Sequence, residues 1–261
     1  MKRPLSELWL LLAVAFIAFF SYTLVDPPSL FGYEPKQSLL SKKLLAPRND
    51  DAAVCADSTV SVLAEPVKVL PDTTPQTILF IGDSMLDGLS PRLAAYCKAS
   101  SDTLYSVVWY SSTSEAWGKT TKLSDYIKKL KPSFIFISLG SNELIVKEIK
   151  EKRDKYVKEI IRQTAGIPYV WIGPPNWKKD TGINDLIREN VPAGCYFRSA
   201  EMKFDRRKDG AHPTAASASV WMDSIIRWLP ENHPSPIAFR QPAEKTARPK
   251  KVFVHSPQEI R

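Results

Sequence analysis

Apolar and polar residues along the centre of the chain follow a pattern typical of alternating strands and helices. Short apolar runs predict strands at residues 77–81, 104–110, 134–139, 169–172 and 195–198. Amphipathic stretches predict helices at residues 86–98, 119–130, 146–163, 184–190 and 213–229. Continuous apolar strands separated by helices indicate a parallel sheet covered on both faces. We therefore expect an α/β fold, a three-layer α/β/α sandwich around a five-stranded, flavodoxin-like parallel sheet.

The N-terminus has the pattern of a membrane anchor. Residues 8–25 carry no charge, and as a helix they are about 27 Å long, close to the roughly 30 Å hydrocarbon core of a bilayer. Lys2 and Arg3 precede this segment, which predicts that residues 1–7 stay in the cytoplasm. A cleaved signal peptide is the alternative, but no small-residue cleavage site follows the apolar run. We expect an uncleaved single-pass anchor in the cytoplasmic membrane, with the folded domain in the periplasm or outside the cell.

Two further segments flank the domain. Residues 26–75 contain many prolines and no sustained periodicity, which predicts an extended stalk after the anchor. Residues 231–261 are again rich in proline and basic residues, and we expect a disordered tail there. Residues 76–230 remain as the one folded domain, and its oligomeric state stays open.

Charge and cysteine content narrow the range of partners. The chain has 36 Lys and Arg against 28 Asp and Glu, a net charge of +8. This excess suits attraction to an anionic polymer or membrane surface, but scattered basic residues in the flanks are the simpler interpretation. Three cysteines, Cys55, Cys97 and Cys195, allow at most one disulfide, and Cys97 lies in an apolar helical context that favours burial. No metal-ligand spacing and no nucleic-acid-binding motif is present, so we expect no metal, no cofactor and no nucleic-acid partner.

Three short motifs stand where a strand or loop ends and a helix begins. Gly82-Asp83-Ser84 follows the first apolar strand, and residues 140–143 (Gly-Ser-Asn-Glu) follow the third. Residues 209–213 (Asp-Gly-Ala-His-Pro) open the last amphipathic segment. Ligands of open parallel sheets bind outside the carboxyl ends of the strands. We therefore expect the three motifs to meet at one edge of the sheet.

The residue types in these motifs match the requirements of a serine nucleophile. A serine hydroxyl needs a base within hydrogen-bond reach and a third group that orients the base. Ser84, His212 and Asp209 supply these three groups, because a carboxylate three residues before an imidazole can hold one ring nitrogen. His233 and His255 lie in the tail, which leaves His212 as the candidate base. The alternative is that Ser84 and Asp209 merely cap helices.

Two donors are available for the oxyanion that forms when a serine attacks a carbonyl. The backbone N–H of Ser84 lies at the start of a helix, where negative charge is favoured. Asn142 ends the most apolar strand, and its carboxamide can reach a bound carbonyl oxygen. A helix-capping role is the alternative for Asn142. We expect Asp83 to brace the turn around Ser84 and to take no part in the chemistry.

Gly-Asp-Ser, Gly-x-Asn and Asp-x-x-His, in this order, resemble blocks I, III and V of the SGNH/GDSL hydrolase family. The resemblance covers residues 77–229. It implies Ser84 as nucleophile, His212 as base, Asp209 as its orienter, and Ser84 N–H with Asn142 as oxyanion donors. The chain is therefore expected to be a serine esterase or acyltransferase.

The sequence departs from the family pattern at two places. The block II glycine, a further oxyanion donor in the family, is missing from residues 110–115, and the N–H of Ser112 or Ser114 is the candidate substitute. Block III usually ends in Asp, and this chain has Glu143 there. Neither departure removes the triad, so we still expect activity.

Location and aromatic residues suggest a substrate. Trp117, Asn176 and Trp177 lie in loops at the same sheet edge, where indole faces suit stacking on sugars, although packing is the simpler role for each Trp. An exported, anchored enzyme of this kind is expected to act on O-acyl groups, in the first place O-acetyl groups, of cell-envelope carbohydrate. The alternatives are an O-acetyltransferase of the same substrates, a lipid-directed esterase and an inactive envelope scaffold.

Overall fold

The computed structural model describes residues 69–260. The predicted anchor at residues 8–25, most of the predicted stalk and Cys55 lie outside the described residues. Within the described range, no helix combines the length and the apolar character that crossing a bilayer requires.

Six parallel strands form one sheet. In chain order they are β1 (Thr77–Gly82), β2 (Thr103–Trp109), β3 (Phe134–Ser138), β4 (Tyr169–Ile172), β5 (Tyr196–Phe197) and β6 (Lys251–His255). Their order across the sheet is β5-β4-β3-β1-β2-β6, and every neighbouring pair is parallel. The five predicted strands thus have the flavodoxin-like order, and β6 extends the sheet beyond β2. Successive strands are added on opposite sides of β1, so the strand order changes direction between β1 and β3. Open parallel sheets bind ligands at such a point.

Helices cover both faces of the sheet. They are α1 (Leu86–Ser100), α2 (Ser114–Gly118), α3 (Lys122–Leu130), α4 (Ile149–Gln163), α5 (Ile183–Asn190) and α6 (Ala215–Asn232). Side chains of α1 and α6 share one buried cluster with the sheet, and those of α2 to α5 share the other. Strand β1 shows why two layers are needed: Ile78 and Phe80 enter the first cluster, whereas Leu79 and Ile81 enter the second.

One helix differs from the sequence-based expectation. The predicted helix at residues 119–130 is confined to α3, and a short helix that was not predicted, α2, precedes it. Gly118 ends α2, and a Cβ there would lie 2.7 Å from the Cβ of Tyr156 in α4. The close packing of α2 against α4 therefore fixes where α2 ends. This contact cannot be read from the periodicity of the sequence.

The prediction of a disordered C-terminal tail is wrong for the described residues. Helix α6 continues to Asn232, and β6 pairs with β2 along residues 251–255. The connecting segment is held by backbone contacts: the N–H of Ala247 donates to the carbonyl of Pro91, and the side chain of Arg92 donates to the carbonyls of residues 244 and 245. The proline-rich composition of this segment suggests disorder, because the residues that hold the segment in place are distant in the sequence.

The boundary of the predicted stalk also differs. Asp72, inside residues 26–75, forms a parallel bridge with Ile237 of the predicted tail. Its N–H donates to the carbonyl of Pro236 at 2.9 Å, and its carbonyl accepts from the N–H of Ala238 at 2.8 Å. The start of the described chain is thus joined to the segment that follows α6.

Strand β6 supplies a test of the ordered tail. Phe253 packs on Tyr126, with ring centroids 5.0 Å apart, and adds to the second buried cluster. We predict that Phe253→Ala lowers the free energy of unfolding by about 1–3 kcal/mol, because a half-buried aromatic side chain is lost. Denaturant unfolding measures this effect.

Val254 in the same strand provides the control. Its side chain is 60% exposed, so Val254→Thr keeps a β-branched residue and is expected to change stability by less than about 0.5 kcal/mol. Equal, negligible effects of both substitutions would contradict a docked strand β6.

Candidate active site

The carboxyl ends of β1 and β3 lie unusually close together. A Cβ on Gly82 would lie 2.3 Å from the carbonyl oxygen of Ser138, so only glycine fits at the end of β1. The next residue, Asp83, donates its N–H to the same carbonyl at 3.0 Å. Gly140, at φ +116°, then turns the chain after β3, a conformation that favours glycine. These two glycines bring the first and second motifs side by side.

Asp83 joins the two motifs through hydrogen bonds. Its buried carboxylate accepts from the hydroxyl of Ser141 at 2.6 Å and from the N–H of Met85 at 3.0 Å. Burial raises the pKa of Asp83 to about 6, and these hydrogen bonds oppose that rise. The carboxylate thus holds the turn that presents Ser84, in the bracing role that the sequence suggests.

Ser84, His212 and Asp209 form a continuous hydrogen-bonded chain. His212 Nε2 lies 2.8 Å from Ser84 Oγ, and His212 Nδ1 lies 2.8 Å from Asp209 Oδ2. The carboxylate fixes the proton on Nδ1, which leaves Nε2 as the acceptor for the serine proton. Neither His233, which is buried against the Tyr169 carbonyl, nor His255, which lies in β6, contacts Ser84. The structure therefore brings together the three residues expected to form the triad.

The loop before α6 keeps Asp209 ionised and in place. Asp209 Oδ1 accepts from the N–H of Ala211 at 2.9 Å and of His212 at 3.0 Å. These bonds, led by the one from His212, lower the pKa of Asp209 to about 2. The N–H of Arg207 donates to the His212 carbonyl at 2.8 Å and closes the loop. Asp209 therefore remains a carboxylate at any pH well above 2.

Asn142 and Ser112 are in contact, but in a way that corrects the role expected for Ser112. The Ser112 N–H donates to the carbonyl of Trp109 at 3.1 Å, within the turn after β2, so it is already engaged. The other candidate, the Ser114 N–H, donates to the Glu143 carboxylate at 2.8 Å. Instead, the Ser112 carbonyl accepts from Asn142 Nδ2 at 2.9 Å. Ser112 thus orients the Asn142 carboxamide, and among the described residues neither its second N–H nor the Ser84 N–H has a hydrogen-bond acceptor.

Glu143, the second departure from the family pattern, is the centre of a buried network. Its carboxylate accepts from the N–H and hydroxyl of Ser114, both at 2.8 Å, and from Arg153 Nε at 2.8 Å. Arg153 also pairs with Glu115 at 2.7 Å. Burial raises the pKa of Glu143, against the effect of these partners. The longer side chain of Glu143 therefore ties the Asn142 turn to the start of α2.

Trp117 has no access to a substrate, so its expected sugar-stacking role is wrong. The residue is fully buried, and its indole N–H donates to Ser112 Oγ at 3.1 Å. Its ring packs edge-on against Trp109, with centroids 5.5 Å apart. Trp117 therefore packs beneath the turn that contains Ser112 and supports that turn.

Asn176 and Trp177 do lie beside the catalytic residues. The indole N–H of Trp177 donates at 3.0 Å to the carbonyl of Ser141, the residue before Asn142. The Asn176 side chain is exposed and accepts from Asn184 Nδ2 at 3.1 Å. Lys178 Nζ lies 4.7 Å from the Trp177 ring centroid and covers one part of that face. These residues form the rim of the site on the side of β4.

Sequence reasoning missed Arg206, which connects two loops of the site. Its guanidinium donates to the carbonyl of Ala211, directly before His212, and at 3.3 Å to the carbonyl of Asn176. Loss of hydration lowers the pKa of Arg206. It belongs to no motif, and its position within the basic run 206–208 is the one signal that the sequence offers.

The assembled site is open to solvent. The side chains of His212 and Asp209 are 29% and 47% exposed, and Ser84 is half-buried. Among the described residues, no group of three or more His, Cys, Asp or Glu side chains is placed to hold a metal ion. The arrangement can therefore activate the Ser84 hydroxyl through His212. It can also stabilise an oxyanion on a substrate group that approaches from the solvent.

Comparisons with known proteins give matches among solved structures alone. No protein-family model matches the chain, and no curated protein sequence matches it. One similar structure is the psychrotrophic esterase EstA from Pseudoalteromonas sp., with 18% identity over 59% of this chain and 98% of that chain, at a TM-score of 0.41.

Two carbohydrate-related structures are similar to the same extent. A two-domain esterase active on acetylated mannans has 14% identity over 64% of this chain and 53% of its own, at a TM-score of 0.43. A carbohydrate esterase of family 3 from Talaromyces cellulolyticus has 13% identity over 58% of this chain and 96% of its own, at a TM-score of 0.41. All three of these similar structures are esterases.

Proposed function

We propose that the protein is a serine esterase that removes O-acyl groups, in the first place O-acetyl groups, from carbohydrate of the cell envelope. The observation that carries the proposal is the hydrogen-bonded chain from Ser84 Oγ through both nitrogens of His212 to Asp209 Oδ2. A helix-capping serine and a surface histidine have no reason to adopt this arrangement. This complete chain of hydrogen bonds also argues against an inactive envelope scaffold.

The geometry supports acylation of Ser84 as the first step. Ser84 Oγ attacks the ester carbonyl while its proton passes to His212 Nε2, and Asp209 stabilises the resulting imidazolium. The N–H of Ser84 and the free N–H of Asn142 stabilise the negative charge on the carbonyl oxygen. His212 then returns the proton to the leaving sugar hydroxyl, which leaves an acyl group on Ser84.

Water completes the reaction from the same side. His212 takes a proton from a water molecule, which attacks the acyl-enzyme, and the carboxylic acid leaves as Ser84 regains its proton. The exposed positions of His212 and Asp209 give water direct access. An open site suits a short acyl group that projects from a polymer better than a long lipid chain, which needs an enclosed apolar pocket.

Removal of either reacting side chain is expected to abolish activity. We predict that Ser84→Ala and His212→Ala each lower kcat/KM for a small activated acetate ester by on the order of 10³-fold or more. Asp209→Asn is expected to retain more activity, because the imidazole stays in place but loses its charged partner. Spectrophotometric assay of the purified variants measures these losses, and equal activity of Ser84→Ala and the unmodified protein would contradict the serine mechanism.

The oxyanion assignment predicts different effects on activity for substitutions of Asn142 and Ser112, which are in contact. Asn142→Ala removes a donor and is expected to raise the barrier by about 2.7–4 kcal/mol, seen in kcat. Ser112→Ala keeps the carbonyl that orients Asn142, but it leaves the Trp117 indole N–H without its acceptor. We therefore expect Ser112→Ala to retain most activity and to lose about 1–3 kcal/mol of stability. A nearly silent Asn142→Ala would show that Asn142 only positions the loop.

Export and anchoring are part of the proposal and rest on the sequence of residues 1–25. The uncharged run at residues 8–25 behind Lys2 and Arg3 supports an uncleaved anchor with the domain on the far side of the membrane. We expect Edman sequencing of protein from a membrane fraction to show the original N-terminus. A new N-terminus after about residue 20 would indicate a cleaved signal peptide instead.

A further inference from the structure

Five cationic side chains cluster on the two loops next to the triad. We call Lys178, Lys179, Arg206, Arg207 and Lys208 the cationic rim. Four of them are exposed and Arg206 is half-buried. Scattered basic residues are the simpler expectation for the net charge, whereas the fold places these five on two neighbouring loops.

Hydrogen bonds place both loops of the rim against the catalytic residues. Arg206 bridges them, since it donates to the carbonyls of Ala211 and Asn176. The Arg207 N–H is bonded to the carbonyl of His212 at 2.8 Å. On the other loop, Lys178 directly follows Trp177, whose indole is bonded to the Ser141 carbonyl. The two loops that carry the rim therefore lie next to the residues of the triad.

The two loops of the rim carry more positive than negative charge. Within residues 69–260, no ion pair engages any of the five cationic side chains. The same two loops also carry three carboxylates, Asp180, Asp205 and Asp209, so five cations against three anions leave a net charge of +2. Five cations of α4 differ, because each has an acidic partner: Lys150, Lys152, Arg153, Lys158 and Arg162.

We propose that the substrate is an O-acylated glycan that also bears anionic groups, carboxylate or phosphate, which the cationic rim binds. The inference rests on the proposed esterase function and names its substrate class. A positive surface around an open site raises the local concentration of an anionic polymer. Exposed guanidinium and ammonium groups pair with carboxylate and phosphate oxygens along such a chain.

A glycan fits the rim better than an anionic membrane surface does. Membrane-binding surfaces combine cations with exposed apolar side chains that enter the bilayer. Large apolar side chains are exposed at six described positions, and none of these lies between residues 178 and 211. The half-buried Trp177 offers a ring face to a sugar but is held by its bond to Ser141.

The test compares acetylated glycans that differ in charge. The substrates are O-acetylated polygalacturonate, O-acetylated phosphomannan and neutral O-acetylated mannan, at matched degrees of acetylation. At low ionic strength we expect kcat/KM for one or both anionic glycans to exceed that for mannan by about tenfold, and this preference to disappear in about 0.5 M NaCl. The carboxylate and phosphate substrates identify which anion the rim binds.

Charge-removal variants assign the preference to the rim. We expect Lys178→Ala/Lys179→Ala and Arg207→Ala/Lys208→Ala each to reduce the ratio of anionic to neutral kcat/KM by about three- to tenfold. The control, Lys128→Ala/Lys155→Ala, removes the same charge from exposed positions of α3 and α4 and is expected to keep the ratio. An equal reduction in the control would overturn the role of the rim.

The outcomes separate this inference from the proposed function. Hydrolysis of a small acetate ester together with equal kcat/KM for charged and neutral glycans would overturn the substrate class and leave the esterase intact. Calorimetric binding of the glycans to Ser84→Ala needs no turnover, and binding of anionic but not neutral glycan is expected even if no hydrolysis is found. Stronger binding to phosphatidylglycerol vesicles than to either anionic glycan would show that the rim binds membranes instead.

Discussion

The contact between the ends of β1 and β3 determines the geometry of the whole site. Gly82 lies against the Ser138 carbonyl, and no larger residue fits there. The strands can therefore approach closely, and Asp83 can accept a hydrogen bond from Ser141 at 2.6 Å. Ser84 and Asn142 follow directly on the two sides of this contact. The proposed nucleophile and the proposed oxyanion donor are thus positioned by the ends of two neighbouring strands.

A second set of buried polar groups supports the first. Glu143 binds Ser114 and Arg153, so the turn after β3 is attached to α2 and α4. The Ser112 carbonyl receives the Asn142 carboxamide, and Trp117 fills the space beneath it. Each of these groups has a partner, which favours one conformation over alternatives. The missing block II glycine is therefore accommodated by a change of role: the loop orients a donor through a carbonyl and does not supply one.

The sequence predicts well what depends on local pattern. The five predicted strands, most of the helices that cover them and the meeting of the three motifs follow from periodicity and from the rule that parallel strands end at one edge. The sequence does not show the contacts between segments that are distant along the chain. Strand β6 pairs with β2 across about 150 residues of chain, so its proline-rich approach resembles a disordered tail. Trp117 is buried and the Ser112 N–H is engaged because of a turn whose direction the sequence leaves open.

Covalent trapping tests the central claim, that Ser84 is a nucleophile activated by His212, most directly. A fluorophosphonate reacts with an activated serine and adds a known mass to it, which peptide mass spectrometry locates. The account predicts modification of Ser84 in the unmodified protein, and little or none in His212→Ala under the same conditions. Modification of another residue, or equal labelling of Ser84 in both proteins, would contradict it.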